Sequence, residues 1–320
     1  MERLSVAERI EGFRRFYAMA NKPGPLVGFY LDSYYPHRRY RTEAFLPHGA
    51  LQPEAVPVRR FLPEYERLFR VHEELGGDFL WSASAFWGLP WMEALAGCGV
   101  FVDQQTGSSR SMRPEGFRGA DGLPGFDTRT PWAFKAREFL RELREQSAGR
   151  FPLGTTLMRG ISDLLSAIHG GSEFILHLMD HPEEERRLVR KLTDLWIAFA
   201  RDQLAEIPAF HGGVGSYYYA MWMPGRGVWL QEDASALMSP KLFGEFVLPS
   251  VVEIAEAFDT SIIHLHPSTY VPVDLLVDSP LSAIELHIDF AGPRAEDLYP
   301  YYRAIQARKP LIIWGDLQTA

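Results

Sequence analysis

The sharpest alternation of polar and apolar positions in the chain lies between residues 260 and 290. Thr260-Ser-Ile-Ile-His264-Leu-His266 reads as a short apolar strand that runs into two histidines and a Pro-Ser-Thr turn. Side chains alternate faces along a strand, so His264 and His266 share one side. In Ser282–Phe290 the alternation is complete. Glu285, His287 and Asp289 fall on one face, and Ile284, Leu286 and Ile288 on the other. Two successive strands with polar faces predict a common site near their C-terminal ends, because buried ionisable groups must be paired, hydrogen-bonded or metal-bound.

Helical periodicity predicts helices over 5–20, 64–75, 132–146, 241–258 and 294–308, and a long one from Asp180 to about Ile207 with acids in its first turn. Thr130-Pro131 reads as a hydroxyl cap followed by a first-turn proline. Residues 26–31, 78–82, 151–158 and 310–316 read as further strands, and 103–129 as a long excursion with little regular structure. Gly212, Gly213 and Gly215 do not have phosphate-loop spacing and read as a turn beside a strand. Strands alternating with crossover helices predict a parallel sheet. Chemistry-bearing residues at strand ends predict an α/β fold of the (β/α)8 TIM-barrel kind. A doubly wound sheet is the alternative, but its glycine fingerprint is missing. The expected organisation is one domain over 1–320, with an N-terminal extension over about 1–75. A seven-stranded reading leaves two open edges, so the chain is expected to lack the last barrel strand.

Composition narrows the classes. A net charge of −8 with no basic cluster beyond short runs argues against nucleic acid. The lone Cys98 excludes internal disulfides and fits a reducing, cytoplasmic setting. The charged N-terminus reads as an amphipathic helix, not a signal peptide, and no apolar run reaches the roughly 20 residues that span a bilayer. A homodimer is compatible with this composition.

Candidate chemistry centres on His264 and His266, a His-x-His pair suited to sharing a metal ion. The plainer reading is a hydrogen-bonded histidine pair at the rim of a core strand. Trp87, Trp91 and Glu93 follow a strand end and suggest a pocket wall, although aromatic core packing accounts equally for the tryptophans. Arg38 and Arg39, in a loop dense in tyrosine, suit an anionic substrate or simply solvent.

Several stretches in this order and spacing resemble the uroporphyrinogen decarboxylase superfamily. They are Pro152-Leu-Gly-Thr-Thr-Leu-Met158, Glu232-Asp233 through Ser239-Pro240 with Phe243 and Phe246-Val-Leu-Pro249, Ile263-His264-Leu-His266, and Ile313-Trp-Gly-Asp-Leu317. The resemblance covers roughly residues 150–316 and implies a (β/α)8 barrel. Within it, true decarboxylases share an Arg-Gln-Ala-Gly-Arg motif that is missing here, and Ser82-Ala-Ser-Ala85 stands where their aspartate is expected. The methyltransferase branch carries a His-x-Cys pair after a barrel strand and a further Cys after the last. His264-Leu-His266 stands in that place, with imidazole for thiolate.

The resemblance therefore implies a zinc-dependent, methyltransferase-like enzyme that moves a methyl group between a small substrate or thiol and a corrinoid protein. His264 and His266 are the expected zinc ligands, joined by Glu285 or by a residue of the expected missing C-terminal segment. Asp233, Tyr217 and Asp289 are the expected catalytic groups, and Tyr219, Trp87, Trp91, Glu93, Arg38 and Arg39 the expected substrate contacts. The alternative is a metal-free carboxy-lyase in which His264, Asp233 and Tyr217 move protons. A barrel that has kept its shape and only binds ligands is the third.

Overall fold

The computed structural model describes residues 4–20, 24–29, 45–268, 270–289 and 292–315. Helix α1 (Val6–Tyr17) opens with a capping box. The Ser5 hydroxyl accepts from the Glu8 amide at 3.3 Å, and the Glu8 carboxylate accepts from the Ser5 amide at 2.8 Å. Strand β1 (Gly49–Leu51) leads to α2 (Val58–Leu75), which starts well before Glu64 because Pro63 is accommodated inside it. Helix α3 (Trp91–Leu95) is short.

The stretch expected to be irregular after residue 103 contains a strand. β2 (Gly99–Asp103) and β3 (Ser108–Met112) form a hairpin that joins β1 in an antiparallel sheet. Ser108–Met112 has no apolar alternation to read. The hairpin is set instead by its turn, where Asp103 Oδ1 accepts from the Gln105 amide at 2.9 Å and Gly107 takes a positive φ of 68°.

Helix α4 (Pro131–Ser147) begins at Pro131 as the sequence predicts, but the Thr130 hydroxyl does not cap it; it donates to the Asp127 carbonyl at 2.9 Å. Helices α5 (Ile161–His169), α6 (Glu173–Asp180) and α7 (Pro182–Glu206) follow. The glycines after α7 form the antiparallel hairpin β4 (Gly213–Ser216) and β5 (Met221–Pro224). Strand β6 (Gly227–Gln231) comes next, then the turn Pro240–Leu242, a π-turn Phe243–Val247, and α8 (Leu248–Glu256). Strand β7 (Thr260–Leu265), β8 (Ala283–Ile288), α9 (Tyr299–Gln306) and β9 (Leu311–Gly315) complete the described chain.

Strands β6, β7, β8 and β9 pair in that order, all parallel. Two parallel bridges, Arg159 with Gln231 and Ala83 with Leu153, carry the arc further round. The expected strands at 78–82 and 151–158 are reduced to these bridges, and 24–29 pairs in no strand. Residues 30 and 31 lie outside the described set. Among the described residues β9 pairs on its β8 side only, and β6 to β9 form a parallel arc.

The register follows from burial. Ile263, Leu265, Ile284 and Leu286 are fully buried, and each contributes about 1.5–3 kcal/mol by leaving water. A slip of one residue would turn Glu285 and His287 into that layer, so the apolar face pins the polar one. No helix in the described residues is long and apolar enough to cross a membrane.

Candidate metal centre

Parallel register sets Gln231, His264 and Glu285 side by side on β6, β7 and β8. His264 presents Nδ1 to Glu285 Oε2 in a short hydrogen bond. Just past β7, His266 presents Nδ1 to both oxygens of Asp289, at 2.8 and 3.0 Å. A carboxylate at Nδ1 fixes the proton there and leaves Nε2 as the free nitrogen. The two Nε2 atoms face each other at 3.0 Å, with ring planes at 90°. Asp233 Oδ1 lies 3.5 Å from each.

Asp233 starts the turn that follows β6, and it is firmly held. Its other oxygen accepts from Gln231 Nε2, and its amide donates to Asp163 Oδ2 at 3.3 Å. Asp163 also accepts from the Ala234 amide at 2.9 Å. Beside it, the fully buried Glu232 accepts from the amides of Ile161 and Ser162, each at 2.9 Å, and from the Ser162 hydroxyl at 2.5 Å. The end of β6 is thus tied to the start of α5.

These contacts make the centre electrostatically tense. Burial pushes the Asp163 carboxyl well above its ordinary range, with Asp233 adding to the effect. Burial likewise lifts Glu232 to about 7 against its hydrogen bonds. Burial opposes charge on His264 as well, yet the Glu285 carboxylate outweighs it and holds the imidazole at about 9. Glu285 is depressed in turn; burial works against this, and His264 prevails. Asp233 Oδ1 is buried and has no hydrogen-bond partner among the described residues.

Two imidazole lone pairs and one unsatisfied carboxylate oxygen therefore converge on a point that requires a positive charge, either a proton or a metal ion. Edges of 3.0, 3.5 and 3.5 Å enclose a circle of radius about 1.9 Å. An ion lifted slightly from that plane reaches the ~2.0–2.1 Å typical of zinc to nitrogen and oxygen. Asp233, His264 and His266 thus fit a zinc ion with a coordination position left over. Glu285, expected as a ligand, lies behind His264 at Nδ1, and Asp289 lies behind His266 in the same way.

The other expected residues divide. Tyr219 is buried, with its hydroxyl 3.5 Å from Glu285 Oε2. Tyr217 packs against Trp81 and Trp87, while the neighbouring Tyr218 brings its ring to His264, 5.5 Å between centroids. Trp87 also meets Tyr218. Trp91 belongs to the core: its indole N–H donates to the Phe86 carbonyl at 2.7 Å, and its ring packs on Trp132 and Phe139. Glu93 is fully buried, 3.1 Å from Arg159 Nη1. Arg38 and Arg39 lie outside the described residues. A cavity of about 880 Å³ lies beyond Tyr219 and Trp314, against α1 and the outer edge of β9; its walls are mainly apolar and include none of the histidines.

The sequence did not mark Arg159, Asp163, Glu232 or Tyr218 as site residues, although Glu232 stands in a stretch that carries the family resemblance. Asp163 and Glu232 act through capping contacts between elements distant in sequence, which no local pattern signals. Tyr218 lies between two tyrosines that the sequence did mark.

No protein-family model matches the chain, and no curated protein matches it by sequence. Among solved structures it is similar to a methyltransferase from Methanosarcina mazei, with a TM-score of 0.64 and 13% identity, over 94% of this chain and 81% of that one. At that identity the likeness is one of fold.

Proposed function

We propose that this protein is a zinc-dependent, methyltransferase-like enzyme built on a (β/α)8 barrel, to which the parallel arc belongs. The observation that carries the reading is the Asp233–His264–His266 triangle, in which each imidazole is backed by its own carboxylate. The fold likeness to a methyltransferase supports the reaction class.

Zinc held there would lower the pKa of a thiol or similar small acceptor and orient it. The chain supplies the rest. Glu285 and Asp289 fix the two imidazole planes, and Gln231 with Asp163 fixes Asp233. Tyr218 stands against His264 and Trp314 against Tyr218, limiting water on that side. A corrinoid carried by a partner protein is the proposed other party to the methyl exchange.

Metal analysis of protein purified without chelators tests this. About one zinc per chain is expected, and His264→Ala or His266→Ala should weaken binding by roughly a thousandfold or more. Zinc-loaded protein should then move methyl groups between methylcobalamin and small thiols, followed by the corrinoid absorbance. Stoichiometric zinc retained by His264→Ala would defeat the assignment.

One observation favours a second reading, a metal-free carboxy-lyase. An imidazole held at about 9 beside Asp233 can deliver a proton to the carbanion left by departing carbon dioxide. Zinc-free wild-type protein that binds a polycarboxylate, more weakly after Arg39→Ala, would favour it.

A further inference from the structure

His287 lies outside the Asp233–His264–His266 triangle. It lies between Glu285 and Asp289 on the inner face of β8 and is 5% exposed. Its Nδ1 is 3.5 Å from Glu285 Oε1, and its Nε2 is 3.8 Å from Asp289 Oδ1. Among the described residues neither Nδ1 nor Glu285 Oε1 has a hydrogen-bond partner, although both atoms are buried. Buried polar groups are costly to leave unsatisfied. Here the two face each other, about 0.5 Å beyond an ordinary N–H···O distance. The Trp314 ring at 5.1 Å and the His266 ring at 4.9 Å flank the imidazole.

Glu285 is bound to His264 through its other oxygen. Whatever fixes Oε1 therefore fixes the carboxylate plane, and through it the direction of His264 Nε2. We infer that His287 is a positioning residue for the metal centre, its Nδ1–H donating to Glu285 Oε1 and so aligning His264 with Asp233 and His266. It stands outside that triangle, with Nδ1 toward Glu285 and Nε2 toward Asp289, two carboxylates with which it could itself hold an ion beside His264 or His266. This inference rests on the zinc reading above.

The test uses the full chain loaded with zinc or Co(II), with affinity read by chelator competition. Asn places a donor amide where His Nδ1 stands, and Gln places one where Nε2 stands. His287→Asn should bind zinc within about threefold of wild type, whereas His287→Gln and His287→Ala should bind about 10–100-fold more weakly. The Co(II) ligand-field spectrum should match wild type in His287→Asn and shift in His287→Gln, a difference that a merely space-filling role would not produce. Should the Ala variant fail to fold, the Asn and Gln pair decides. Equal weakening in that pair, or wild-type affinity in His287→Ala, overturns the inference while leaving the zinc reading intact. A second zinc in wild type that is lost on His287→Ala also overturns it, by making His287 a ligand. Wild-type protein without zinc overturns both.

Discussion

Replacing Glu285 by Gln separates the charge behind His264 from its shape. The amide oxygen can still accept from Nδ1–H, so the packing survives and the charge is lost. An ordinary histidine titrates near 6.5, and His264 is held at about 9 despite its burial. That gap corresponds to on the order of 3 kcal/mol of folding stability in metal-free protein. The sign is that of a raised folded-state pKa: the contribution is complete below about pH 6.5 and is lost as pH climbs through 9. Urea unfolding of chelator-treated wild type and Glu285→Gln between pH 6 and 9.5 measures it. Wild type should be more stable by about 3 kcal/mol at pH 6, and the gap should narrow to under about 1 kcal/mol by pH 9.5. Loading with zinc should abolish this pH dependence, because the ion takes the proton's place. A gap that stays constant across the window, or widens with pH, would refute the assigned role of Glu285.

Two further perturbations probe the supports. Glu232→Ala strands the buried amides of Ile161 and Ser162. It should cost about 3 kcal/mol and lower Tm by roughly 5–10 °C in a thermal melt. Arg159→Met removes the cation described beside the buried Glu93; with Arg159 itself 37% exposed, the loss should be about 1–3 kcal/mol by chemical denaturation. Adding Glu93→Gln should recover most of that loss, and a double variant as unstable as the single would show the pair to be uncoupled.

The centre was legible where a strand carries its information locally. Period-two alternation places Glu285, His287 and Asp289 on one face, and the same rule pairs His264 with His266. Their division of labour was not legible. Which carboxylate meets the triangle depends on register between strands: Glu285 lies level with His264 and is held at its Nδ1, whereas Asp233 projects from beyond the end of β6. Neither relation appears in any single window of sequence. Trp91 shows the same limit from the other side, because an aromatic near a strand end reads alike whether it lines an opening or fills the core. The β2–β3 hairpin escaped because Ser108–Met112 is polar on both faces and is paired through its turn.

The proposed ligand set also bears on the proposed reaction. With zinc in the triangle, two neutral imidazoles and one carboxylate leave a net positive charge that a thiolate-rich set would cancel. Taken alone, this gives a strongly Lewis-acidic ion, which ionises an acceptor readily but leaves it a poorer nucleophile, since nucleophilicity falls with pKa. Glu285 and Asp289 moderate that outcome. A carboxylate on Nδ1–H raises the basicity of the opposite nitrogen, so each imidazole donates more like an anion than an isolated ring does. Both imidazoles here are backed in this way. The carboxylates that fix the geometry thus return part of the charge lost when imidazole replaces thiolate, and thiol activation remains compatible with the Asp233, His264 and His266 donor set.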